Sequence, residues 1–165
     1  AETKRIRLGT GGIMLPYYAP FKIAEQFKML EALYPGRIDL GLGRAPGGHP
    51  STARVLFDGR QMDTDEGFAN QLAEISAIFR GVVPEQHPLH GQMVSPAVAT
   101  VPEMWVLGSS TGGASFAASL GMRFAFAHFI NAYTGAEVAK AYRQHFRPWH
   151  EQTPRVALAM LAVCG

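Results

Sequence analysis

Apolar residues recur at intervals of three and four in two long stretches, the spacing of a helix with one buried face. The first helix is predicted over residues 20–34. The second is predicted over residues 65–81, where a glycine ends it. Thr134 and Glu137 match a capping box, so a further helix is predicted over residues 134–146.

Between these helices lie shorter apolar runs, each of a length that suits a strand. We predict strands over residues 5–8, 37–43, 104–110, 123–129 and 155–163, the last of which is also compatible with a helix on propensity. A short helix of small residues is predicted over residues 112–121. The segment 48–62 gives no clear prediction, whereas the segment 82–103, with four prolines, predicts a long loop.

The alternation of strands and helices determines the fold class. It predicts an α/β chain with a parallel sheet and right-handed crossovers. Five strands form either an open doubly wound sheet or part of a (β/α)8 barrel. A complete barrel takes about 250 residues. This chain has 165, begins without methionine, enters a predicted strand almost at once and ends inside an apolar run. We therefore expect one incomplete domain over residues 1–165, a partial barrel cut from a longer protein.

Composition argues against several classes of function. The net charge of +2 is spread along the chain without a block of like charges, so neither nucleic acid nor a charged membrane surface is an expected partner. No apolar run reaches the roughly 18 residues of a membrane span. The single cysteine, Cys164, cannot form an internal disulfide and is compatible with a reducing cytoplasm, which is the expected location.

Three glycine-rich loops follow predicted strands: GTGG at 9–12, GLGRAPG at 41–47 and GSSTGG at 108–113. Because ligands bind at the carboxyl ends of parallel strands, we expect these loops to share one site. The middle loop is not a dinucleotide fingerprint, since Pro46 stands where the third glycine belongs. Its Arg44 is either a surface residue of a tight turn or a phosphate ligand, because a planar guanidinium can donate two hydrogen bonds at once.

The third loop allows more than one interpretation. The N–H groups of a helix N-terminus, together with the hydroxyls of Ser109, Ser110 and Thr111, suit an anion. Serine also caps helices without any ligand. The two roles are compatible.

The same loop also matches the nucleophile elbow of hydrolases. Gly108–Gly112 reads G-x-S-x-G, which makes Ser110 a candidate nucleophile of a serine esterase. The acid and the base would be Glu137 with His145 or His150. Those residues lie on or just after one predicted helix, whereas a triad takes them from loops after separate strands.

The remaining histidines give little indication of a metal site. His87 and His90 lie three residues apart in the proline-rich loop, without a nearby cysteine or carboxylate cluster, so no metal is predicted. His128 ends a predicted strand on the same rim as the glycine loops. It is either a buried histidine or a residue that lines the site.

Two stretches resemble the bacterial luciferase-like, flavin-dependent monooxygenases: RIRLGTGGIMLPYYAPFKIAEQFKMLEALYPGRIDLGLGRAPG and MWVLGSSTGGASFAASLGMRFAFAHF. The resemblance continues through YRQHFRP to the last strand and is least clear over residues 48–64. It implies a TIM barrel, of which this chain would hold roughly strands three to seven. It also implies FMN, used in its reduced form (FMNH2) with O2 to oxygenate a small organic substrate.

The resemblance implies roles for the residues of all three loops. Arg44 would hold the FMN phosphate, and the loop 108–111 would complete the cradle with its backbone and hydroxyls. Gly11-Gly12 stands where the family places a non-proline cis peptide against the flavin ring. The implied cofactor-binding residues are Gly11, Gly12, Gly43, Arg44, Gly108, Ser109, Ser110 and Thr111.

The chain departs from the family pattern in two places. The family's catalytic histidine follows a strand outside this sequence, so no catalytic residue is assigned here. A second phosphate-binding arginine of the family falls at Asn70. The resemblance further implies a homodimer that uses the helix over residues 20–34, with NAD(P)H or a partner flavin reductase as the source of electrons. A folded but inactive, flavin-free fragment is a further alternative.

Overall fold

The computed structural model describes residues 2–45, 48–57, 65–149 and 151–163, and those residues form six strands and five α-helices. In chain order these are β1 (Leu8–Gly9), β2 (Ile13–Met14), α1 (Pro20–Leu33), β3 (Ile38–Gly43), α2 (Pro50–Phe57), α3 (Asp65–Arg80), β4 (Glu103–Gly108), α4 (Thr111–Ser119), β5 (Arg123–Ala127), α5 (Gly135–His145) and β6 (Val156–Ala159). A short 3-10 helix covers Leu15–Tyr17.

All the strands belong to one parallel sheet in the order β1-β3-β4-β5-β6. β2 also pairs with β3. β1 lies beside the first residues of β3 and β2 beside the last ones, so the two short strands share one position. The sheet therefore has five strand positions, as predicted.

The order of the strands decides between the two predicted architectures. The strands follow one another across the sheet in chain order with no reversal. Because right-handed crossovers in an unreversed order place the helices on the same face, the result is a half-barrel, whereas a doubly wound sheet reverses its order. α1, α4 and α5 pack against the strands, and α3 packs against α1. The prediction of a partial (β/α)8 barrel is confirmed.

The side chains of each strand alternate between the two faces of the sheet. Those that face the helices are apolar and fully buried: Leu40, Leu42, Met104, Val106, Phe124 and Phe126. Burying each such side chain stabilises the fold by about 1.5–3 kcal/mol. The residues between them face the concave side of the sheet, and those that line it are Asp39, Gly43, Trp105, Leu107, Ala125 and Ala127.

A buried tyrosine joins α5 to the sheet. The hydroxyl of Tyr142 donates to the Met122 carbonyl at 2.8 Å and accepts the Arg155 N–H at 3.2 Å. Burial raises the pKa of Tyr142 to about 12. The hydroxyl therefore stays protonated and serves as a fixed link between α5, the start of β5 and the approach to β6.

The strands at the two edges are shorter than predicted. β1 covers only Leu8–Gly9, and β6 ends at Ala159. The apolar side chains of Ile6 and Leu161 are exposed, because no described element covers them. α2 forms within the segment 48–62, for which there is no clear prediction, and residues 58–62 of that segment lie outside the described residues.

The ends of the helices follow the sequence signals with one exception. Gly81 has a φ of +67° and ends α3 as predicted, and Gly36, with a φ of +70°, lies just beyond the end of α1. The prediction of a capping box at the start of α5 is wrong. Thr134 is the N-cap residue, but its side chain makes no capping hydrogen bond and instead accepts the Asn131 Nδ2–H at 2.8 Å. A nearby amide therefore competes successfully for the capping hydroxyl.

Candidate functional site

The three glycine-rich loops open onto one cavity of about 650 Å³ on the concave face of the sheet. The predicted cofactor residues that line it are Gly11, Gly12, Gly43, Arg44, Gly108, Ser109 and Ser110. Thr111, the eighth, begins α4 next to them and does not line the cavity. Pro46 and Gly47 of the middle loop lie outside the described residues.

The first loop reaches the cavity because β3 carries no side chain at Gly41. A Cβ at Gly41 would come far closer to the Thr10 carbonyl oxygen than the 3.0 Å that real Cβ atoms keep. The Thr10 hydroxyl donates to the Gly41 carbonyl at 2.9 Å and accepts the Gly41 N–H at 3.0 Å. These hydrogen bonds hold Thr10, which lies between β1 and β2, against β3. The peptide bond between Gly11 and Gly12 is cis, as the resemblance implies.

Arg44 follows β3 directly and stands at the edge of the cavity with 44% of its side chain exposed. It is the only cation among the described residues that line the cavity. Its Nη1–H donates to the carboxylate of Asp65, the first residue of α3. Because Gly43 pairs with Leu107 on the neighbouring strand, Arg44 lies close to the loop that holds Ser109.

The third loop presents hydrogen-bond donors that have no helical partner. Ser110 is the N-cap residue of α4, and its side chain makes no capping hydrogen bond. The N–H groups of the first helical turn lack intrahelical acceptors. Gly108 and Gly113 pack backbone to backbone, since a Cβ at Gly108 would lie 3.4 Å from the Gly113 Cα. The turn from β4 into α4 is therefore tight, and its donors remain available to an anion.

Asn131 holds this loop in place and is absent from the residues predicted from sequence. Its Nδ2–H groups donate to the Ser109 carbonyl at 3.1 Å and to the Thr134 hydroxyl at 2.8 Å. It thereby ties the loop after β4 to the loop after β5. Neither spacing nor composition indicates this role, which depends on a contact between residues 22 positions apart.

Nearer the beginning of β3 and β4, the cavity is lined by the side chains of Asp39 and Trp105 rather than by glycines. Trp105 Nε1–H donates to Asp39 Oδ1 at 2.9 Å, and the Arg7 guanidinium binds the same carboxylate at 2.9 and 3.0 Å. Burial alone would raise the pKa of Asp39, but the hydrogen bonds from Arg7 and Trp105 outweigh it and hold that pKa below its usual value. Asp39 is therefore an anion at neutral pH and has no proton to give.

A second cluster of charges lies beside this pair. The Arg123 guanidinium lies 5.4 Å from the centre of the Trp105 ring and forms ion pairs with Glu103 and, at 3.0 Å, with Glu151. Arg7 also reaches Glu103 at 3.2 Å. These residues fix the indole of Trp105 at the deep end of the cavity. The sequence analysis missed this network, because its members come from four separate segments of the chain.

Apolar side chains form much of the remaining wall. Phe68 of α3 and Phe116 of α4 meet edge to face with their ring centres 5.6 Å apart. The other large apolar residues on the wall are Met14, Leu107, Phe129 and Ile130, and the small ones are Ala45, Ala125, Ala127, Ala157 and Ala159. The cavity therefore suits a ligand with a broad apolar body and one anionic end.

The arrangement does not support a serine hydrolase. Ser110 has an extended backbone (φ −144°, ψ 171°), which is not the strained turn of a nucleophile elbow. Its hydroxyl has no histidine partner among the described residues. His145 lies on α5 with Nδ1 bonded to the Ala141 carbonyl at 2.8 Å, and His150 lies outside the described residues.

Other predicted features give no further site. His128 does not line the cavity. The described residues hold no group of three or more His, Cys, Asp or Glu side chains placed to bind a metal ion. Within the same residues, no helix combines the length and the apolar character needed to cross a bilayer.

Sequence comparisons identify the family to which the chain is related. It matches the family model of luciferase-like monooxygenases over residues 1–165. It is 42% identical to the uncharacterised protein YwcH of Bacillus subtilis over its whole length, which is 50% of that protein. It is 38% identical to the N-acetyl-S-alkylcysteine monooxygenase of the same organism, with 98% of this chain and 49% of the relative covered. The chain thus spans about half the length of these curated relatives.

Comparison of structures gives the same result. The apo form of MsnO8 superposes with a TM-score of 0.78 at 37% identity, covering 93% of this chain and 44% of that one. A type II Baeyer-Villiger monooxygenase of Pseudomonas putida, solved in complex with FMN, has a TM-score of 0.59 with 87% and 43% covered, and at 17% identity the likeness concerns the fold alone. The chain belongs to the luciferase-like monooxygenase family.

Proposed function

We propose that this chain forms the flavin-phosphate side of an FMN-dependent monooxygenase that oxygenates a small organic molecule with O2. The observation that carries the proposal is the position of Arg44. It is the only cation among the described lining residues, and it stands beside the free N–H donors of α4 at the edge of a largely apolar cavity. A flavin mononucleotide has the matching shape, an apolar ring at one end and a phosphate at the other.

The residues present fit that cofactor. A cavity of about 650 Å³ lies within the range of small-molecule sites. A guanidinium donates two parallel hydrogen bonds to a phosphate, and the N-terminus of a helix favours a negative charge. Arg44 and the loop from Ser109 to Thr111 would hold the phosphate. The Gly11-Gly12 backbone would lie along the ring, where the absence of side chains permits close approach.

The protein's part in the reaction is to bind, orient and exclude water. When bound in its reduced form, FMN supplies the electrons with which O2 is activated for transfer of an oxygen atom to the substrate. The apolar wall around Phe68 and Phe116 keeps bulk water away from the reacting groups. Asp39 is held as an anion by Arg7 and Trp105, so it is not the acid of the reaction. No catalytic base is assigned to this chain.

Other properties of the whole protein remain proposals of the same kind. The reductant would be NAD(P)H or a partner flavin reductase, and the location would be the cytoplasm. A homodimer would form through α1, which exposes Met29, Leu30 and Leu33 along its second half and is followed by the exposed Tyr34.

A titration of the full-length protein with FMN, followed by flavin fluorescence, tests the proposal. We expect saturable binding that Arg44→Ala weakens by about 1.5–3 kcal/mol, the scale of a hydrogen bond to a charged group. Arg143→Ala, which removes an exposed arginine of α5, is the matched control and should leave the affinity unchanged. A folded protein that binds no FMN would refute the proposal and favour the flavin-free alternative. Labelling of Ser110 by a serine-reactive phosphonate would favour the hydrolase.

A further inference from the structure

Arg44 already has an anionic partner within the protein. Its Nη1–H binds the carboxylate of Asp65, which stands in the first turn of α3, 21 residues further along the chain. The Asp65 side chain is 71% exposed and the Arg44 side chain 44% exposed. The pair therefore lies at the solvent edge of the cavity, where a ligand phosphate would have to enter.

The same guanidinium cannot serve the two anions equally well. A phosphate monoester carries about 1.5 to 2 negative charges at pH 7, and the carboxylate on Nη1 both occupies a donor and repels an approaching phosphate. Because Asp65 is mostly exposed, its carboxylate can return to water at little cost.

Resting on the proposed function, we infer that Asp65 is an internal competitor for the flavin phosphate, which lowers the affinity of Arg44 for FMN. In the absence of phosphate, Asp65 holds the Arg44 guanidinium at the cavity edge and balances its charge. When phosphate binds, the carboxylate is released to solvent. Asp65 is thus a positioning residue that makes the flavin easier to exchange.

The inference is tested by measuring the affinity of the full-length protein for FMN and for riboflavin, which has the same ring but no phosphate. Asp65→Asn removes the charge and retains the shape. Glu66→Gln is the matched control, because it removes a neighbouring negative charge from the same first turn of α3. Circular dichroism confirms that each variant is folded, and Asp65→Ser serves as a second charge-free variant.

We expect Asp65→Asn and Asp65→Ser to tighten FMN binding by about two- to fivefold at low ionic strength, the range of an exposed ion pair, with riboflavin affinity unchanged. Glu66→Gln should alter FMN affinity by less than the Asp65 variants do. The gain should shrink as salt is added. FMN binding that is unchanged or weaker in both Asp65 variants would overturn the inference and leave the proposed function standing. Absence of FMN binding in the parent protein would refute the proposed function itself.

Discussion

Replacing Gly41 by alanine should destabilise the protein strongly, although alanine is the smallest change available. The added Cβ would overlap the Thr10 carbonyl oxygen and would also lie 3.0 Å from Leu107 Cδ1. The Thr10 oxygen belongs to the backbone, which cannot turn aside as a flexible side chain would. The whole segment from Thr10 to Gly12 would therefore have to move away from β3.

The size of the effect follows from two contributions. Forcing a methyl group into a well-packed position costs about 1–3 kcal/mol. The displaced segment also loses the two hydrogen bonds between the Thr10 hydroxyl and the Gly41 backbone, each worth about 1 kcal/mol. Together they predict a loss of about 3–5 kcal/mol in the free energy of unfolding, a large share of the roughly 5–15 kcal/mol of a typical domain.

Gly43→Ala is the matched control, because Gly43 lies on the same strand and the same face. A Cβ there has the Ile13 carbonyl oxygen as its nearest neighbour at 3.8 Å, an ordinary contact. Its replacement should change stability by less than about 1 kcal/mol, with a small gain from the stiffer unfolded chain. Urea unfolding followed by circular dichroism measures both values. If Gly41→Ala stays within 1 kcal/mol of the parent, or if Gly43→Ala costs as much, the close approach of the first loop to β3 is refuted.

Three further predictions follow from other parts of the fold. Tyr142→Phe should cost about 2 kcal/mol in urea unfolding, because it leaves the buried Met122 carbonyl and the partly buried Arg155 N–H without this partner. The 95% exposed Tyr133 should tolerate the same change, and equal effects of the two substitutions would contradict the buried link. Because the pKa of Asp39 is lowered in the native state, its stabilising contribution is present at neutral pH and is lost as the pH falls through that lowered pKa. In Asp39→Asn, the free energy of unfolding should therefore decrease less steeply below about pH 4 than in the parent protein. An unchanged dependence of this free energy on pH would contradict the role of Asp39. Leu33→Glu, beside the exposed Met29 on α1, should convert the proposed dimer to a monomer in analytical ultracentrifugation. A dimer that persists in this variant would contradict the assignment of the dimer contact to α1.

The sequence predicts the central strands and helices well because their signals are local. Met104 and Val106 of β4 and the apolar stripe of α3 are buried as their local pattern indicates, and Gly81 ends α3 through its positive φ. The signals fail at the edges of the sheet. Ile6 has the alternation of a strand but remains exposed, because alternation cannot indicate whether a neighbouring element will cover it.

The candidate site divides in the same way. Glycine-rich loops after parallel strands must meet at one rim, so the position of Arg44 follows from topology alone. The supporting contacts do not, since they join distant segments. Thr10 bonds to Gly41 across 31 residues, and Asn131 holds Ser109 across 22. The local sequence around Thr10 or Asn131 does not indicate these contacts, because each partner lies on a distant segment that only the tertiary fold brings close.

The central claim is that Arg44 recognises the phosphate of a flavin. Its most direct test is the difference in binding free energy between FMN and riboflavin, measured for the parent protein and for Arg44→Ala. The account predicts that the parent prefers FMN and that Arg44→Ala removes about 1.5–3 kcal/mol of this preference, with riboflavin bound equally by both proteins. The account would be contradicted if Arg44→Ala kept the full preference for FMN. It would also be contradicted if Arg44→Ala weakened the binding of FMN and of riboflavin by the same amount.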